Sequence, residues 1–109
     1  MKKYLLLLCC FPLFLIACTA EDNEGEELVI TASYSNDIKP IMDAYCISCH
    51  SSPPVNGAPM QLTTAASVKE AILDRGLIER VEEGSMPEVG RLSAEEVQRI
   101  KNWKAGGYE

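Results

Sequence analysis

The sequence of 109 residues lacks several features that would otherwise define its class. It has no apolar run of the roughly 20 residues that a membrane-spanning helix needs. It has no internal repeat, and no stretch in which apolar and polar residues alternate, so it predicts no β-strand of any length. Its 10 basic residues are outnumbered by 16 acidic ones, which argues against a nucleic-acid partner. What remains is one small helical domain, since a chain of this length cannot bury two independent cores.

Histidine is also scarce: the chain has one histidine and five cysteines. A disulfide framework uses cysteines in pairs and leaves an odd number unexplained. Two of the five lie inside an apolar segment near the N-terminus, one lies at the end of that segment, and two lie in the following domain. The cysteines therefore need different explanations by position.

The first 17 residues are typical of an export signal. A positive start, Met1-Lys2-Lys3, precedes an apolar run from Tyr4 to Ile16, and a small residue follows. That order is the order of a secretory signal peptide. Cys9 and Cys10 lie within the run and would be removed with it.

The end of this segment, Leu15-Ile16-Ala17-Cys18, resembles the lipobox of bacterial lipoproteins. The resemblance implies that Cys18 is lipidated and becomes the first residue of the mature chain. More than one acyl chain on a protein gives stable membrane anchoring. By the same resemblance, Thr19 favours the outer membrane. We therefore expect a protein of the cell envelope that faces the periplasm or the cell surface.

Residues 18–30 are predicted to be the lipidated cysteine followed by a flexible tether. Five of residues 19–27 are acidic and none is basic, a composition typical of a solvated, self-repelling linker. Residues 30–109 carry eight basic and eleven acidic side chains. Much of the negative charge thus belongs to the tether, and it says little about the surface of the domain.

The domain, residues 31–109, is predicted to be an all-α bundle of three to four short helices. The predicted helices begin between Ser35 and Pro40, at Thr63 or Thr64, at Leu77, and at Ser93. Asn36 or Asp37 is expected to cap the first helix, and Ser93 with Glu96 matches the capping box that begins a helix. Three prolines and a glycine within residues 51–59 predict an irregular loop.

The segment Cys46-Ile-Ser-Cys49-His50 carries the chemistry. Cysteines three residues apart on a helical turn face the same side, so both sulfurs can bond the two vinyl groups along one haem edge. This is the attachment signature of a c-type haem, with His50 as the proximal iron ligand. A zinc site would need two further ligands that the domain lacks. A thioredoxin-like pair would need a strand–helix setting that is also missing. We predict one covalent haem c per chain.

The second axial ligand of the iron is expected to be a methionine, the usual partner of histidine in electron-transfer haems. Met42 lies four residues before Cys46 and is assigned to the core. Met60 and Met86 remain as candidates. The length of chain that separates each from His50 does not decide between them, since even ten extended residues span roughly 33 Å.

Five segments of the domain together resemble a single-haem class I cytochrome c, over nearly all of residues 34–107. These are Ile38-Lys-Pro40-Ile41, Cys46-Ile-Ser-Cys49-His50, Gly84-Ser-Met86-Pro87, Leu92-Ser93-Ala-Glu-Glu96 and Trp103-Lys-Ala-Gly106. The resemblance implies a small bundle around the haem. It also implies Met86 as the distal iron ligand, with Met60 as the fallback.

The same resemblance implies two further contacts. A proline carbonyl, from Pro53 or Pro54, would accept a hydrogen bond from the haem-ligating imidazole. The first and last helices would meet near the haem edge. The residues expected at that meeting point are Ile41 and Tyr45 on the first helix and Ile100 and Trp103 on the last.

The expected function is membrane-anchored electron transfer and not catalysis. The expected partners are a redox protein that donates and one that accepts electrons, with the membrane held through the lipid, no nucleic acid, and a monomeric chain. One alternative is a peroxidase-like haem enzyme or ligand-binding haem domain, but this needs an open iron position and usually a distal acid–base group, and the only histidine is already used. The other is a dedicated redox subunit of a membrane or periplasmic dehydrogenase, which differs only in its partner.

Overall fold

A computed structural model describes residues 31–109 of the chain. The predicted signal peptide, the lipidation site Cys18 and the tether up to residue 30 lie outside the described residues. All regular structure within residues 31–109 is helical, which confirms the all-α prediction. A π-helical turn, Tyr34–Ile38, runs directly into α1, and it is followed by three more helices. The helices are α1 Lys39–Tyr45, α2 Ala65–Asp74, α3 Leu77–Glu83 and α4 Ala94–Ala105.

Within residues 31–109 we find no helix that has both the length and the apolar character of a membrane span.

The first helical segment begins earlier than predicted, and its cap is Ser33. The Ser33 hydroxyl accepts a hydrogen bond from the backbone N–H of Asn36 at 3.3 Å. The Asp37 carboxylate accepts one from the backbone N–H of Ser33 at 2.8 Å. The prediction that Asn36 or Asp37 caps the helix was therefore wrong. Ser33 has the extended backbone that a capping residue needs, whereas Asn36 and Asp37 already lie within the first turn.

Helix α2 begins with a reciprocal pair of hydrogen bonds. The Thr64 hydroxyl accepts from the backbone N–H of Ser67, and the Ser67 hydroxyl accepts from the backbone N–H of Thr64, both at 3.1 Å. Two of the backbone donors that a helix start leaves without partners are thereby satisfied. Gly76, with φ of 64°, lets α3 begin just after α2 in a new direction. Of the two predicted starting points, the structure selects Thr64.

Helix α4 begins at the capping box that the sequence predicts. The Ser93 hydroxyl accepts from the backbone N–H of Glu96 at 3.2 Å, and the Glu96 carboxylate accepts from the backbone N–H of Ser93 at 2.8 Å. Further along α4, Ile100 and Trp103 are almost completely buried.

We predict that Ser93→Ala lowers the free energy of unfolding by about 1 kcal/mol, because a backbone donor at the start of α4 loses its side-chain partner. Urea denaturation followed by circular dichroism measures the change. Ser35→Ala is the matched control, since Ser35 is exposed and lies inside the first helical turn instead of capping it. Equal stability of the Ser93→Ala and Ser35→Ala proteins would contradict a capping role for Ser93.

The first and last helical segments meet through aromatic side chains. Trp103 of α4 lies with its ring centroid 5.5 Å from that of Tyr34, and 5.0 Å from that of Tyr108 in an edge-to-face arrangement. Tyr34 belongs to the π-helical turn, which packs directly on α4. The sequence prediction named neither of these two aromatic partners of Trp103. Tyr45 packs against the edge of the same core, in which Ile41 is buried.

Candidate cofactor site

The two cysteines and the histidine lie on one tight turn that continues α1. The backbone N–H of Cys46 donates to the carbonyl of Met42 at 2.9 Å, so the turn is attached directly to the end of the helix. The N–H groups of Cys49 and His50 both donate to the Cys46 carbonyl, at 3.2 and 2.9 Å. These hydrogen bonds hold Cys46 and Cys49 one turn apart and His50 beside them. Both cysteines are partly buried and neither forms a disulfide.

A cavity of about 450 Å³ opens beside this turn. Its volume falls in the range of roughly 300–1,000 Å³ that is usual for sites of small molecules and cofactors. The residues that line it include Cys46, Cys49 and His50, and also both candidate methionines, Met60 and Met86. Residues predicted from three separate segments of the sequence therefore line one space.

The rest of the wall is largely apolar and reaches into the core. Six residues of the buried core also line the cavity: Met42, Leu62, Ala71, Leu77, Val81 and Leu92. They come from α1, α2, α3 and the loops before α2 and α4. A large apolar group in this cavity would be in contact with most of the domain.

The ring of His50 is oriented by the main chain of Met60. Its Nδ1 lies 2.7 Å from the Met60 carbonyl oxygen. A carbonyl can only accept a hydrogen bond, so Nδ1 is the donor, and in the neutral ring Nε2 then keeps the lone pair that a metal needs. His50 is therefore held in the tautomer that binds a metal through Nε2, with the second hydrogen bond that metal-ligating histidines usually make.

The acceptor for His50 differs from the one that the family resemblance implied. It is the Met60 carbonyl, and not that of Pro53 or Pro54. The Pro53 carbonyl instead accepts a hydrogen bond from the Ser51 hydroxyl at 2.8 Å. The loop after His50 is long enough to return, since the backbone N–H of Leu62 donates to the His50 carbonyl at 2.8 Å.

The thiol of Cys46 is not suited to nucleophilic redox chemistry. Burial raises the pKa of this thiol to about 11. A redox-active cysteine pair needs a thiolate, and such thiols have pKa values lowered well below the ordinary value. Cys46 is protonated at neutral pH, which disfavours the thioredoxin-like alternative.

The sulfur of Cys49 is 3.6 Å from the side-chain nitrogen of Asn56, a contact that the sequence analysis missed.

A metal ion bound by protein ligands alone is not favoured at this turn. Within residues 31–109, no three side chains of histidine, cysteine, aspartate or glutamate are grouped so that they could hold a metal ion. A haem iron is different, because the macrocycle supplies four nitrogen donors and the protein needs to supply only the axial ligands. The residues present fit that requirement: two thiols for attachment, one imidazole with a free Nε2, and two methionines on the cavity wall.

Met86 lies in the loop that joins α3 to α4, three residues after the end of α3. Its side chain is partly buried, and its backbone N–H donates to the Arg80 carbonyl at 3.2 Å. It therefore approaches the cavity from an element different from the one that carries His50 and Met60.

Comparisons of the chain with protein-family models, with curated proteins and with solved structures found no match.

Proposed function

We propose that the protein is a lipid-anchored electron carrier that binds one haem c covalently through Cys46 and Cys49, with His50 and Met86 as axial ligands. The observation that supports this most directly is that all four residues line one largely apolar cavity. The proposed fold is accordingly a class I cytochrome c-like bundle, a finer description than the all-α architecture itself.

His50 would bind the iron through Nε2. The Met60 carbonyl, by accepting the hydrogen bond from Nδ1, holds the ring in one orientation and makes Nε2 a stronger donor. Because this acceptor is part of the main chain, the orientation does not depend on which side chain residue 60 carries.

Met86 is preferred over Met60 as the distal ligand, because a second iron ligand would have to approach from the side opposite His50. The carbonyl of Met60 is within hydrogen-bonding distance of the back of the His50 ring, so its main chain lies on the histidine side. Met86 is carried by a different segment, beyond α3. A thioether opposite an imidazole raises the reduction potential of the iron.

A bound haem c supplies an iron that alternates between the ferrous and ferric states. The role of the chain would be to keep the surroundings unchanged between those states: Cys46 and Cys49 would hold the group by thioether bonds, His50 and Met86 would bind the iron, and the largely apolar wall would limit its contact with water. With both axial positions filled, no site for a substrate is left at the iron. Electron transfer without catalysis is therefore preferred over a peroxidase-like activity.

The proposed partners and location follow from residues 1–30. A lipid on Cys18 and an acidic tether would hold the domain close to a bacterial membrane, the outer membrane being favoured, and let it meet one protein that donates electrons and another that accepts them. A dedicated redox subunit of a membrane or periplasmic dehydrogenase would use the same site with a single partner.

The proposed function predicts both a haem and a lipid on the purified full-length protein, expressed in bacteria that mature c-type cytochromes. The visible spectrum should be that of a low-spin c-type haem. The intact mass should exceed that of the processed polypeptide by one haem and the acyl groups. Cys18→Ser is the matched control, since it should keep the haem and lose both the lipid and the membrane association.

Two results would count against this function. A mature protein without covalently bound haem would overturn the proposal. Binding of carbon monoxide by the reduced protein at ordinary affinity would show an open iron position and would favour the haem enzyme or ligand-binding alternative.

A further inference from the structure

Three hydrogen bonds tie the start of the Met86 loop to a single carbonyl at the end of α3. The Arg80 carbonyl accepts from the backbone N–H of Gly84 at 3.1 Å and from that of Met86 at 3.2 Å. It also accepts from the hydroxyl of Ser85 at 3.4 Å. The chain therefore turns back on the helix end just where Met86 begins, and the main chain of Met86 is attached to α3.

Two features of this turn favour glycine at position 84. Its φ of 82° is in the left-handed region, which residues with a Cβ rarely adopt. A Cβ on Gly84 would also lie 2.6 Å from Cζ of Arg91, so the guanidinium of Arg91 occupies the space that a side chain would need. Nη2 of Arg91 also donates to the carbonyl of Glu82 at 3.3 Å, so the Arg91 side chain extends across the turn to the end of α3.

We propose that Gly84 and Arg91 are positioning residues for Met86: together they hold the Met86 loop against the end of α3, so that the thioether is kept at the cavity. We call this arrangement the Gly84–Arg91 contact. The inference rests on the proposed function, in which Met86 is an iron ligand, and adds the residues that hold that ligand in place. A methionine attached in this way competes effectively with small ligands from solution, because its main chain does not have to be ordered when the sulfur binds.

Gly90 provides a matched comparison within the same loop. Its φ is 85°, close to that of Gly84, but a Cβ on Gly90 would meet no atom within 4 Å. Alanine at either position imposes similar backbone strain. Only alanine at Gly84 would have to displace the guanidinium of Arg91, which also donates to the Glu82 carbonyl at the end of α3.

The test is the affinity of the ferric, full-length holoprotein for imidazole, which replaces the methionine sulfur on the iron without any change of oxidation state. The titration follows the sulfur-to-iron charge-transfer band. We expect Gly84→Ala to bind imidazole at least tenfold more tightly than the unmodified protein, and Gly90→Ala to stay within twofold of it. Thr64→Ala, which loses the cap of α2 and is destabilised elsewhere, should also stay within twofold.

The outcomes separate positioning from general stability. Imidazole affinity of Gly84→Ala within twofold of the unmodified protein would overturn the inference, as would an equal gain in Gly90→Ala or Thr64→Ala. If Gly84→Ala does not fold, Arg91→Ala decides: a gain of at least threefold supports the Gly84–Arg91 contact, and a smaller one overturns it. Absence of haem or of the methionine band from the unmodified protein would refute the proposed function instead, before any variant is compared.

Discussion

The double variant Cys46→Ala, Cys49→Ala is expected to be largely unfolded, because the proposed haem is part of the hydrophobic core. Within residues 31–109, six of the fourteen buried core residues line the cavity. Removing the haem would leave the apolar side chains on this wall without a packing partner. Loss of even one large core side chain costs about 3–5 kcal/mol, a large part of the stability of a typical domain.

Local structure cannot compensate for that loss. The four α-helices are between 7 and 12 residues long. Isolated helices shorter than roughly 12–15 residues are marginal in water, so these depend on tertiary contacts. The measurement is far-UV circular dichroism of the double variant against the holoprotein. Ser48→Ala, an exposed change in the same turn, should retain both haem and helicity. Near-native helicity with cooperative unfolding in the double variant would show that the core does not need the haem.

The variant Met86→Ala is expected to lose the sulfur-to-iron charge-transfer band and to have a lower reduction potential, because a thioether ligand is replaced by water or a weak donor. A fall of more than about 100 mV is expected, within the roughly 0.8 V range that axial ligands set. Visible spectroscopy and potentiometric titration measure the two effects.

Met60→Ala is the control for this prediction. The hydrogen bond to His50 comes from the main-chain carbonyl of residue 60, which the substitution leaves in place. The band and the potential should therefore be close to those of the unmodified protein. Loss of the band in Met60→Ala, with its retention in Met86→Ala, would transfer the distal ligand to Met60.

The helix starts show where local sequence is sufficient and where it is not. Ser93 with Glu96 was predicted as the start of α4, because both hydrogen bonds of a capping box lie within four residues and need no distant partner. The first helical segment offers several capping residues close together, among them Ser33, Asn36 and Asp37. The choice among them depends on which backbone is extended, and the packing of Tyr34 on Trp103 favours the earliest.

The candidate site likewise has a part that local sequence predicts and a part that it does not. Cys46, Cys49 and His50 could be predicted because they belong to one turn, and the hydrogen bonds that shape this turn join residues three or four apart. The hydrogen-bond acceptor of the His50 ring could not be predicted, because it is a backbone carbonyl and every residue has one. A family resemblance suggested a proline carbonyl, while the path of the loop brought the carbonyl of Met60 to the ring.

The amino-acid sequence was thus sufficient for the all-helical class, the capped start of α4, the start of α2 to within one residue, and the turn that holds Cys46, Cys49 and His50. Each depends on side-chain types and on hydrogen bonds that span a few residues. The sequence was not sufficient to predict that Met60 and Met86 line the same cavity as that turn, or that Arg91 covers Gly84 where the Met86 loop begins. These contacts join residues that are distant in the chain, and the packing of the helices around a shared core brings them together.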